Sequence, residues 1–416
     1  MEASVPFSPV TRVQLGAQWV ARWGAITLGF SVIVSTALNG LLMALLLLAW
    51  IASGRWQEKL LVVKRNPVAI AALLLLVLGT AGALWSQGTP DDIALFTNKY
   101  TKLLLIPILG TVLLDPRDRT RGLVAMTAGL LLSLALSYGL WLGLLPPVRP
   151  LTGKAYNPTA LKNYVSHSTF MAFGVLLFAI WAWQASSVAR RWLWAGAALL
   201  AAANVLFMVH GRTGYLVLAA ISIVALFQVL RWRGLALAAV LVAVGFTAAF
   251  TLSPGFKQRI DLAVKETKEW DPSVPATTSV GMRLEFYRIT LQIIRQHPLL
   301  GLGTGGFPKI YGDRVAGDER IKTRNPHNQY LLTTAELGIV GLGILLFFFF
   351  QHGRASARLV DARDRLLARG LLALMVTGCF FNSFLFDHNE GVFFSWLTGL
   401  LFAGLGSRDA VARGTA

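Results

Sequence analysis

Long apolar runs separated by short polar segments cover most of the 416-residue chain. Runs of this length can cross a bilayer as α-helices, and the Gly, Pro and charged residues between them mark where they end. The pattern predicts about twelve membrane spans. Their approximate ranges are 25–36, 38–52, 68–86, 99–114, 122–145, 167–186, 192–210, 213–230, 233–252, 330–351, 366–386 and 391–407.

The first two predicted spans share one apolar run, residues 25–52, which could also form a single tilted helix. Basic residues flank this run on both sides, with Arg22 before it and Arg55 after it. Because positively charged loops stay in the cytoplasm, both flanks should lie on that side of the membrane. The run is therefore predicted to be a hairpin that turns near Asn39-Gly40.

Clusters of arginine residues occur in every second loop along the rest of the chain, so these loops should be cytoplasmic. This arrangement predicts that both termini are cytoplasmic. One long hydrophilic segment should lie on the opposite side. It divides the chain into spans one to nine (1–252), a large extracytoplasmic loop with candidate site residues (253–329), and spans ten to twelve with a cytoplasmic C terminus (330–416). The sequence thus predicts an all-α polytopic membrane protein.

Two helices are predicted within the large loop. Ser253 followed by proline is a typical helix start, and this helix should reach about Trp270. Ser279 is predicted to cap a second helix that ends at His297-Pro298. Arg283 lies on the second helix, on a different face from its apolar residues, and could point into a cavity.

Composition supports a membrane protein, because 55% of residues are hydrophobic and only 14% are charged, against about 25% charged in soluble domains. The net charge of +18 is compatible with nucleic-acid binding. Basic loops that orient the spans explain it better, so no nucleic-acid partner is expected. The single cysteine, Cys379, excludes an intrachain disulfide.

His327 directly precedes the tenth predicted span, within Arg324-Asn325-Pro326-His327-Asn328. A neutral imidazole is a natural proton acceptor near neutral pH. Basic residues Arg320, Lys322 and Arg324 lead into it, and a base beside cations suggests a hydroxyl attacking a phosphate-linked group. The alternative is a loop histidine near a helix start, with basic residues close to lipid headgroups.

Further ionisable residues are predicted on the same side of the membrane as His327. Charged groups near the membrane boundary are costly and are usually functional or paired, although long side chains can also extend to the interface. Their concentration on one side indicates an anion-binding cavity. The residues are Lys99, Lys102, Lys162, His167, His210, Arg212, Arg283, Arg324 and His388.

Several other chemistries lack support in the sequence. The pattern G-x-G-x-x-G at 301–306 does not follow a strand, so it predicts a flexible turn, or less readily an amide nest for phosphate. Residues 387–390, Asp-His-Asn-Glu, are interpreted as a polar loop rather than a metal site. Neither a G-x-S-x-G elbow nor a P-loop occurs, and no metal or other cofactor is expected.

Two local motifs resemble the O-antigen ligase family of bacterial inner-membrane enzymes. Arg212 is followed four residues later by Leu216, and His327-Asn328 is followed after nine residues by Gly338 and Gly341. The run that begins at Arg283 and ends in His297-Pro298-Leu299-Leu300-Gly301-Leu302-Gly303 is similar to a loop of the wider superfamily, which includes O-antigen polymerases and protein O-oligosaccharyltransferases. The resemblance implies a GT-C-like membrane fold with one large periplasmic loop.

The resemblance also implies an activity. A glycan carried on undecaprenyl diphosphate would be transferred to a sugar hydroxyl of lipid A-core at the periplasmic face of a Gram-negative inner membrane, completing lipopolysaccharide. The catalytic histidine falls on His327 and the two essential arginines on Arg212 and Arg283. Lys102 and Arg324 are further candidates for binding the diphosphate, and Asn328, His167 and His388 are secondary candidates. Transfer is expected to be inverting and metal-independent.

Three other functions stay open at this point. An O-antigen polymerase would use a similar histidine and arginines. A lipid transporter would suit many spans and intramembrane cations, although transporters usually show matching halves, which this sequence does not. A passive lipopolysaccharide-binding factor would tolerate loss of His327. The oligomeric state, the glycan and the acceptor hydroxyl are not predicted.

Overall fold

The computed structural model describes residues 11–147, 154, 157–209, 211–271, 277–317 and 322–405. In this part of the chain the structure is helical, apart from one isolated bridge between Lys154 and Asn157. The helices are α1 (Arg12–Val34), α2 (Thr36–Ala52), α3 (Trp56–Arg65), α4 (Pro67–Ala81), α5 (Pro90–Tyr100), α6 (Leu105–Val112), α7 (Pro116–Trp141), α8 (Tyr164–Gln184), α9 (Val188–Ala203), α10 (Arg212–Leu230), α11 (Trp232–Leu252), α12 (Pro254–Lys268), α13 (Ser279–Gln296), α14 (Phe307–Arg314), α15 (Gln329–Ser356), α16 (Ala362–Phe381) and α17 (His388–Leu401).

Among the described residues, seven helical segments are long and apolar enough to cross a membrane, and an eighth is added if the bent pair α2 and α3 counts as one span. The protein is therefore a polytopic all-α membrane protein. The other predicted spans fall on helices that are shorter or more polar, so the count of about twelve stays a prediction. The seven segments are Pro67–Trp85, Pro116–Trp141, Tyr164–Gln184, Val188–Met208, Arg212–Leu230, Trp232–Leu252 and Gln329–Ser356.

α1 and α2 form the predicted hairpin, because Gly54 after α2 lies against the side chain of Gln14 near the start of α1. The predicted turn at Asn39-Gly40 is wrong, since the break is at Ser35. Ser35 is extended, with φ −144°, and its hydroxyl accepts from the amide of Leu38 to cap α2. Asn39 is instead buried inside α2, where it accepts from Ser31 at 2.6 Å.

The long helices separate two ends of the molecule. At one end Arg22 lies 3.7 Å from Asp118, at the start of α7, and Arg363 donates to Thr120. We call this the basic end. At the other end of α16, Asn382 donates to Thr213 in the first turn of α10, at 3.1 Å. We call this the site end, because Arg212 and His327 both lie there.

The segment between α11 and α15 contains three helices, of which two were predicted. Ser253 caps α12 as expected, and α13 ends before His297 as expected. The predicted cap Ser279 is wrong, since Thr278 accepts from the amide of Gly281 and Ser279 is the first helical residue. The third helix, α14, packs its buried Phe307 and Tyr311 beside the apolar face of α13.

α15 is kinked at Gly338, whose φ is 64° and ψ is −164°. A Cβ at this position would lie 1.9 Å from the carbonyl oxygen of Leu299, so only glycine allows the loop after α13 to approach so closely. The amide of Ile339 donates to the carbonyl of Pro298 at 2.9 Å. This contact gives a structural reason for a glycine eleven residues after His327.

The glycine-rich loop at 301–306 is packed against other elements, so the predicted flexible turn is wrong. Gly303 donates to the carbonyl of Glu336, and Thr304 donates to the carbonyl of Gly79 in α4. The buried carboxylate of Glu336 accepts from the amide of Gly305 at 2.9 Å. The loop thus directs its amides at the protein's own Glu336 side chain, and this contact holds the kinked helix in place.

Candidate active site

The backbone of His327 is fixed by side chains from three elements. Its φ of 53° lies in the left-handed region, which costs energy for a residue other than glycine. Its amide donates to the side chain of Asn325 at 2.7 Å, and Asn325 also accepts from Ser383 at 2.7 Å. The Tyr287 hydroxyl contacts the His327 carbonyl at 3.4 Å and donates to Phe380 at 3.0 Å. These contacts set the direction in which the imidazole leaves the loop.

The imidazole of His327 is half-buried, with its ring centroid 6.0 Å from that of Phe286. Burial lowers the pKa of His327 below its ordinary 6.5, the positive charge of Arg283 lowers this pKa further, and the polar side chain of Asn382 acts in the opposite direction. The ring is therefore neutral near pH 7 and can accept a proton.

Three arginines gather beside this histidine. Arg283 of α13 is close enough to act electrostatically on both His327 and Arg212, and Arg259 of α12 acts on Arg212 as well. The carboxylate of Glu266 also acts on Arg212 and opposes the two arginines. Within the described residues, none of these three guanidinium groups lies within 4.0 Å of a carboxylate oxygen. We call Arg212, Arg259 and Arg283 the arginine cluster. Unpaired like charges in proximity repel, and an anion between them would relieve that repulsion.

Arg259 was missed by the sequence analysis, although its helix was predicted. Phe256, one turn earlier on α12, packs on the ring of Tyr215 in α10 with centroids 4.7 Å apart. Glu266, two turns later, is buried and accepts from the amide of Val280 at the start of α13. These contacts turn the shared face of α12 towards α10 and α13. Arg259 could have been selected from the sequence, because it lies three positions after Phe256 and therefore on the same side of the predicted helix.

Asn382 and Tyr287 were also missed. Asn382 connects the two family motifs, since its side chain donates to Thr213, next to Arg212, and lies beside the His327 ring. Burial raises the pKa of Tyr287, so its hydroxyl stays protonated and can donate to backbone carbonyls. Neither residue has a sequence signature, because each acts through partners that are distant along the chain.

Lys102 and Lys162 lie in a different environment at the same end. Lys102 is buried, and its ammonium donates to the carbonyls of Phe386 and Asp387 at 3.2 and 2.8 Å. Lys162 is also buried and donates to Thr36 at 2.9 Å and Asn389 at 3.0 Å. Each lysine thus has several fixed acceptors.

The acids of the 387–390 segment face these lysines. Asp387 and Glu390 both interact electrostatically with Lys102, and Glu390 also interacts with Lys162. These lysines supply positive charge opposite the two carboxylates. Within the described residues, no three His, Cys, Asp or Glu side chains form a group suited to a metal ion. We call Lys102, Lys162, Asp387 and Glu390 the lysine cluster.

The remaining candidates are dispersed. His167 is buried in α8, between Ser133 at 3.3 Å and Asn204 at 3.1 Å. Asn328 caps α15 by accepting from the amide of Leu331. Arg324 is exposed, with its Nε 3.6 Å from a carboxylate oxygen of Asp92.

His388 begins α17, next to the lysine cluster, and its Nε2 has no hydrogen-bond partner. Its ring is half-buried and lies near Lys102, Lys99 and Lys162. His210 and Arg320, which the sequence also singled out, lie outside the described residues. The structure therefore brings Arg212, Arg283 and His327 together, and it places Lys102 in the lysine cluster with His388 next to that cluster.

The model of a known protein family matches the part of the chain that contains the arginine cluster and His327. Residues 197–346 match the model of the family described as O-antigen ligase. This match covers less than half of the chain. The matched region begins in α9 and ends in α15, so it contains both motifs and the segment between them.

The chain is also similar to a bacterial relative and to a solved structure. A protein of Haemophilus influenzae described as uncharacterized is 26% identical over 125 residues, which cover 27% of this chain and 31% of that protein. The match therefore spans less than a third of that relative's length. A chain from a solved peptidoglycan synthase complex aligns over 82% of this chain and 97% of its own length, with 18% identity and a TM-score of 0.48.

Proposed function

We propose that the protein is an O-antigen ligase, which transfers O-antigen polysaccharide from undecaprenyl diphosphate to a sugar hydroxyl of lipid A-core. The observation that carries the proposal is a neutral imidazole beside three guanidinium groups that form no close ion pair within the described residues, all in the region that matches the family model. A glycosyl transfer from a lipid diphosphate needs these two functions, a proton acceptor and a fixed positive charge.

In this mechanism the acceptor hydroxyl oxygen attacks the anomeric carbon of the first O-antigen sugar. Its proton passes to the imidazole of His327 as the new glycosidic bond forms. The bond between the anomeric carbon and the diphosphate oxygen breaks, and undecaprenyl diphosphate leaves with the electron pair. Attack from the face opposite the leaving group inverts the anomeric centre. No nucleotide is required, because the diphosphate linkage is already activated.

The arginine cluster stabilises the leaving diphosphate. Guanidinium groups bind phosphate oxygens through two parallel hydrogen bonds, and they are always charged. We assign this role to Arg212 and Arg283 and add Arg259, which contributes charge from a third helix. Fixed side-chain cations on three helices would replace the metal ion that many diphosphate-cleaving enzymes require.

Lys102 and Arg324 remain weaker proposals for contacts with the same donor. Lys102 already donates to two carbonyls, and Arg324 is exposed beside Asp92. Asn328, His167 and His388 remain secondary proposals. Asn328 and His167 have structural partners that account for their positions, whereas the unpartnered Nε2 of His388 could contact a bound glycan.

The function is tested by reconstitution from purified components in the presence of excess chelator. Lipid-linked O-antigen and lipid A-core are incubated with the protein, and both lipid products are separated. The ligase predicts lipopolysaccharide bearing O-antigen, formed equally with and without chelator. Longer glycans that remain on undecaprenyl diphosphate would identify a polymerase instead. Activity lost with chelator and restored by magnesium would refute the metal-independent mechanism and direct mutagenesis to Asp387, His388 and Glu390.

We further propose that the site end faces the periplasm and the basic end the cytoplasm of a Gram-negative inner membrane, because positively charged loops stay inside. In a Cys379→Ser background, a cysteine at exposed Thr277 should react with a membrane-impermeant maleimide in spheroplasts. A cysteine at Ala357, exposed after α15, should react only once the membrane is permeabilised. Ser356 beside it is fully buried and would be unsuitable. The opposite labelling pattern would reverse the orientation.

A further inference from the structure

A hollow of about 460 Å³ lies at the basic end, far from the arginine cluster. Its walls come from α1, the α2–α3 corner, α3 and the end of α6. Three of its lining residues are cations and one is a carboxylate, with tryptophan and aliphatic side chains around them. The lining residues used below are Trp19, Arg22, Trp50, Arg55, Glu58 and Lys59.

The wall beneath the hollow is rigidly built. Trp50 donates from its indole to Thr111 of α6 at 2.8 Å. The Lys59 ammonium lies 4.6 Å from the centroids of both Trp50 and Trp56, and it donates to Ser53 at 2.8 Å and to the Trp50 carbonyl. These contacts fix the bend of 116° between α2 and α3 and hold one positive charge at the floor.

The other two cations are only partly neutralised. Arg22 shares the buried carboxylate of Asp118 with Arg121, which lies 2.8 Å from one carboxylate oxygen. The Nε of Arg22 lies 3.7 Å from the other oxygen, too far for a hydrogen bond, so this ion pair is a weak one. Arg55 is bound to Glu58 through both carboxylate oxygens. The lining therefore retains an excess of positive charge that an anion could neutralise.

The rim is apolar and exposed, which distinguishes this hollow from a site for a free soluble anion. Trp19 is 60% exposed and Leu15 is 54% exposed, on the same helix as Arg22. Tryptophan is enriched where a membrane protein meets the headgroup layer. Basic pockets between helices on the cytoplasmic side are suited to anionic lipid headgroups.

From this arrangement we infer that the hollow binds the headgroup of an anionic phospholipid, with its acyl chains along the exposed face of α1. The phosphate would meet the exposed part of the Arg22 guanidinium, whose side chain is 38% exposed, and the charge of Lys59 and Arg55. The inference is independent of the proposed transfer reaction, because it uses residues at the opposite end of the molecule. It identifies a structural lipid that would brace α1, α3 and α6 against one another.

The test uses the purified full-length protein in a neutral detergent, titrated with short-chain phosphatidylglycerol. The midpoint of thermal unfolding should rise to a plateau. Phosphatidylcholine of the same chain length and inorganic phosphate, titrated over the same range, should not raise it. An equal rise with phosphatidylcholine would show that apolar contacts alone fill the hollow. An equal rise with phosphate would show a site for a soluble anion. Either result would overturn the inference.

Two sets of variants locate the effect. Arg22→Gln with Arg55→Gln should weaken phosphatidylglycerol binding roughly fivefold for each cation removed, or about 25-fold together. The matched control is Lys64→Gln with Arg65→Gln, which removes two exposed charges from the end of α3 outside the hollow and should bind as the wild type does. Equal affinities for the two double variants would place the lipid elsewhere.

Glu58→Gln gives a test in the opposite direction that does not depend on the stability of the double variant. It removes the carboxylate that lines the hollow and releases Arg55, so affinity for phosphatidylglycerol should rise roughly fivefold. An unchanged or reduced affinity would contradict a headgroup site at this position.

Discussion

Two groups of cations lie at the site end of the molecule and differ in what surrounds them. The arginine cluster has no carboxylate within ion-pair distance in the described structure, and it lies beside a neutral histidine. The lysine cluster is buried, donates to backbone carbonyls and polar side chains, and faces two acids. The three arginines face one acid, Glu266, whereas the two lysines face two acids, so the arginine cluster retains the larger excess of positive charge for a ligand.

The difference shows that the partners of a cation, more than its position, decide what it can do. A buried cation with fixed acceptors is held in place, and removing it leaves those acceptors unsatisfied. An unpaired cation raises the energy of the free protein and lowers it when an anion binds. We therefore expect substitutions in the arginine cluster to lower the rate of transfer and substitutions in the lysine cluster to lower the stability of the protein.

The largest expected effect is at His327. His327→Ala should reduce transfer roughly 100- to 10,000-fold, because the acceptor hydroxyl loses its proton acceptor. Binding of the donor lipid should change little. The matched control is His297→Ala, which removes a histidine from the same loop region at the end of α13 and should retain activity. A folded His327→Ala protein with near-normal turnover would eliminate the general-base role.

The next largest effect on the rate of transfer is expected when the guanidinium groups are replaced. Arg212→Lys and Arg283→Lys keep the charge but lose the two-pronged geometry, so each should reduce transfer roughly 10- to 100-fold. Arg295→Lys, on the exposed side of α13, is the control and should be neutral. Wild-type activity in both lysine variants would indicate simple charge attraction instead of oriented diphosphate binding.

A smaller effect concerns pH. The rate requires neutral His327, so it should fall as pH drops through the pKa of this residue. Because burial and Arg283 lower that pKa, the acidic limb of the rate profile should lie below the ordinary 6.5. Arg283→Gln removes one of these causes and should raise the pKa of His327. The acidic limb of its residual activity should therefore shift to a higher pH. A limb that stays in place would mean that Arg283 does not act on His327.

Features set by neighbouring residues were the ones that the sequence predicted well. Ser253 was recognised as the start of α12 and His297 as the end of α13, because capping depends on residues within one turn. The hairpin of α1 and α2 was predicted, but its turn was placed at Asn39-Gly40. Asn39 is buried inside the helix by a bond to Ser31, and that burial depends on the packing of α2 against α1.

Pairing across the fold could not be predicted. Lys102 binds carbonyls that are 284 and 285 positions away, and nothing near Lys102 in the sequence indicates them. The histidine and the two arginines of the candidate site were selected by motif, whereas Arg259 and Asn382 became visible only when α10, α12 and α16 were in place. The glycine loop likewise has a turn-like composition, and only its contacts with Glu336 show that it is buried.

The central claim is tested most directly by one paired measurement, turnover per folded molecule and the midpoint of thermal unfolding, for Arg283→Gln and Lys162→Gln. Both variants replace a cation with a neutral amide at the site end. The account predicts that Arg283→Gln loses roughly tenfold or more in rate while its unfolding midpoint is unchanged or raised, because a repulsive charge is removed. Lys162→Gln should lose about 3 kcal/mol of stability while the folded molecules turn over at close to the normal rate. Loss of rate without loss of stability in Lys162→Gln, together with normal turnover in Arg283→Gln, would contradict the account.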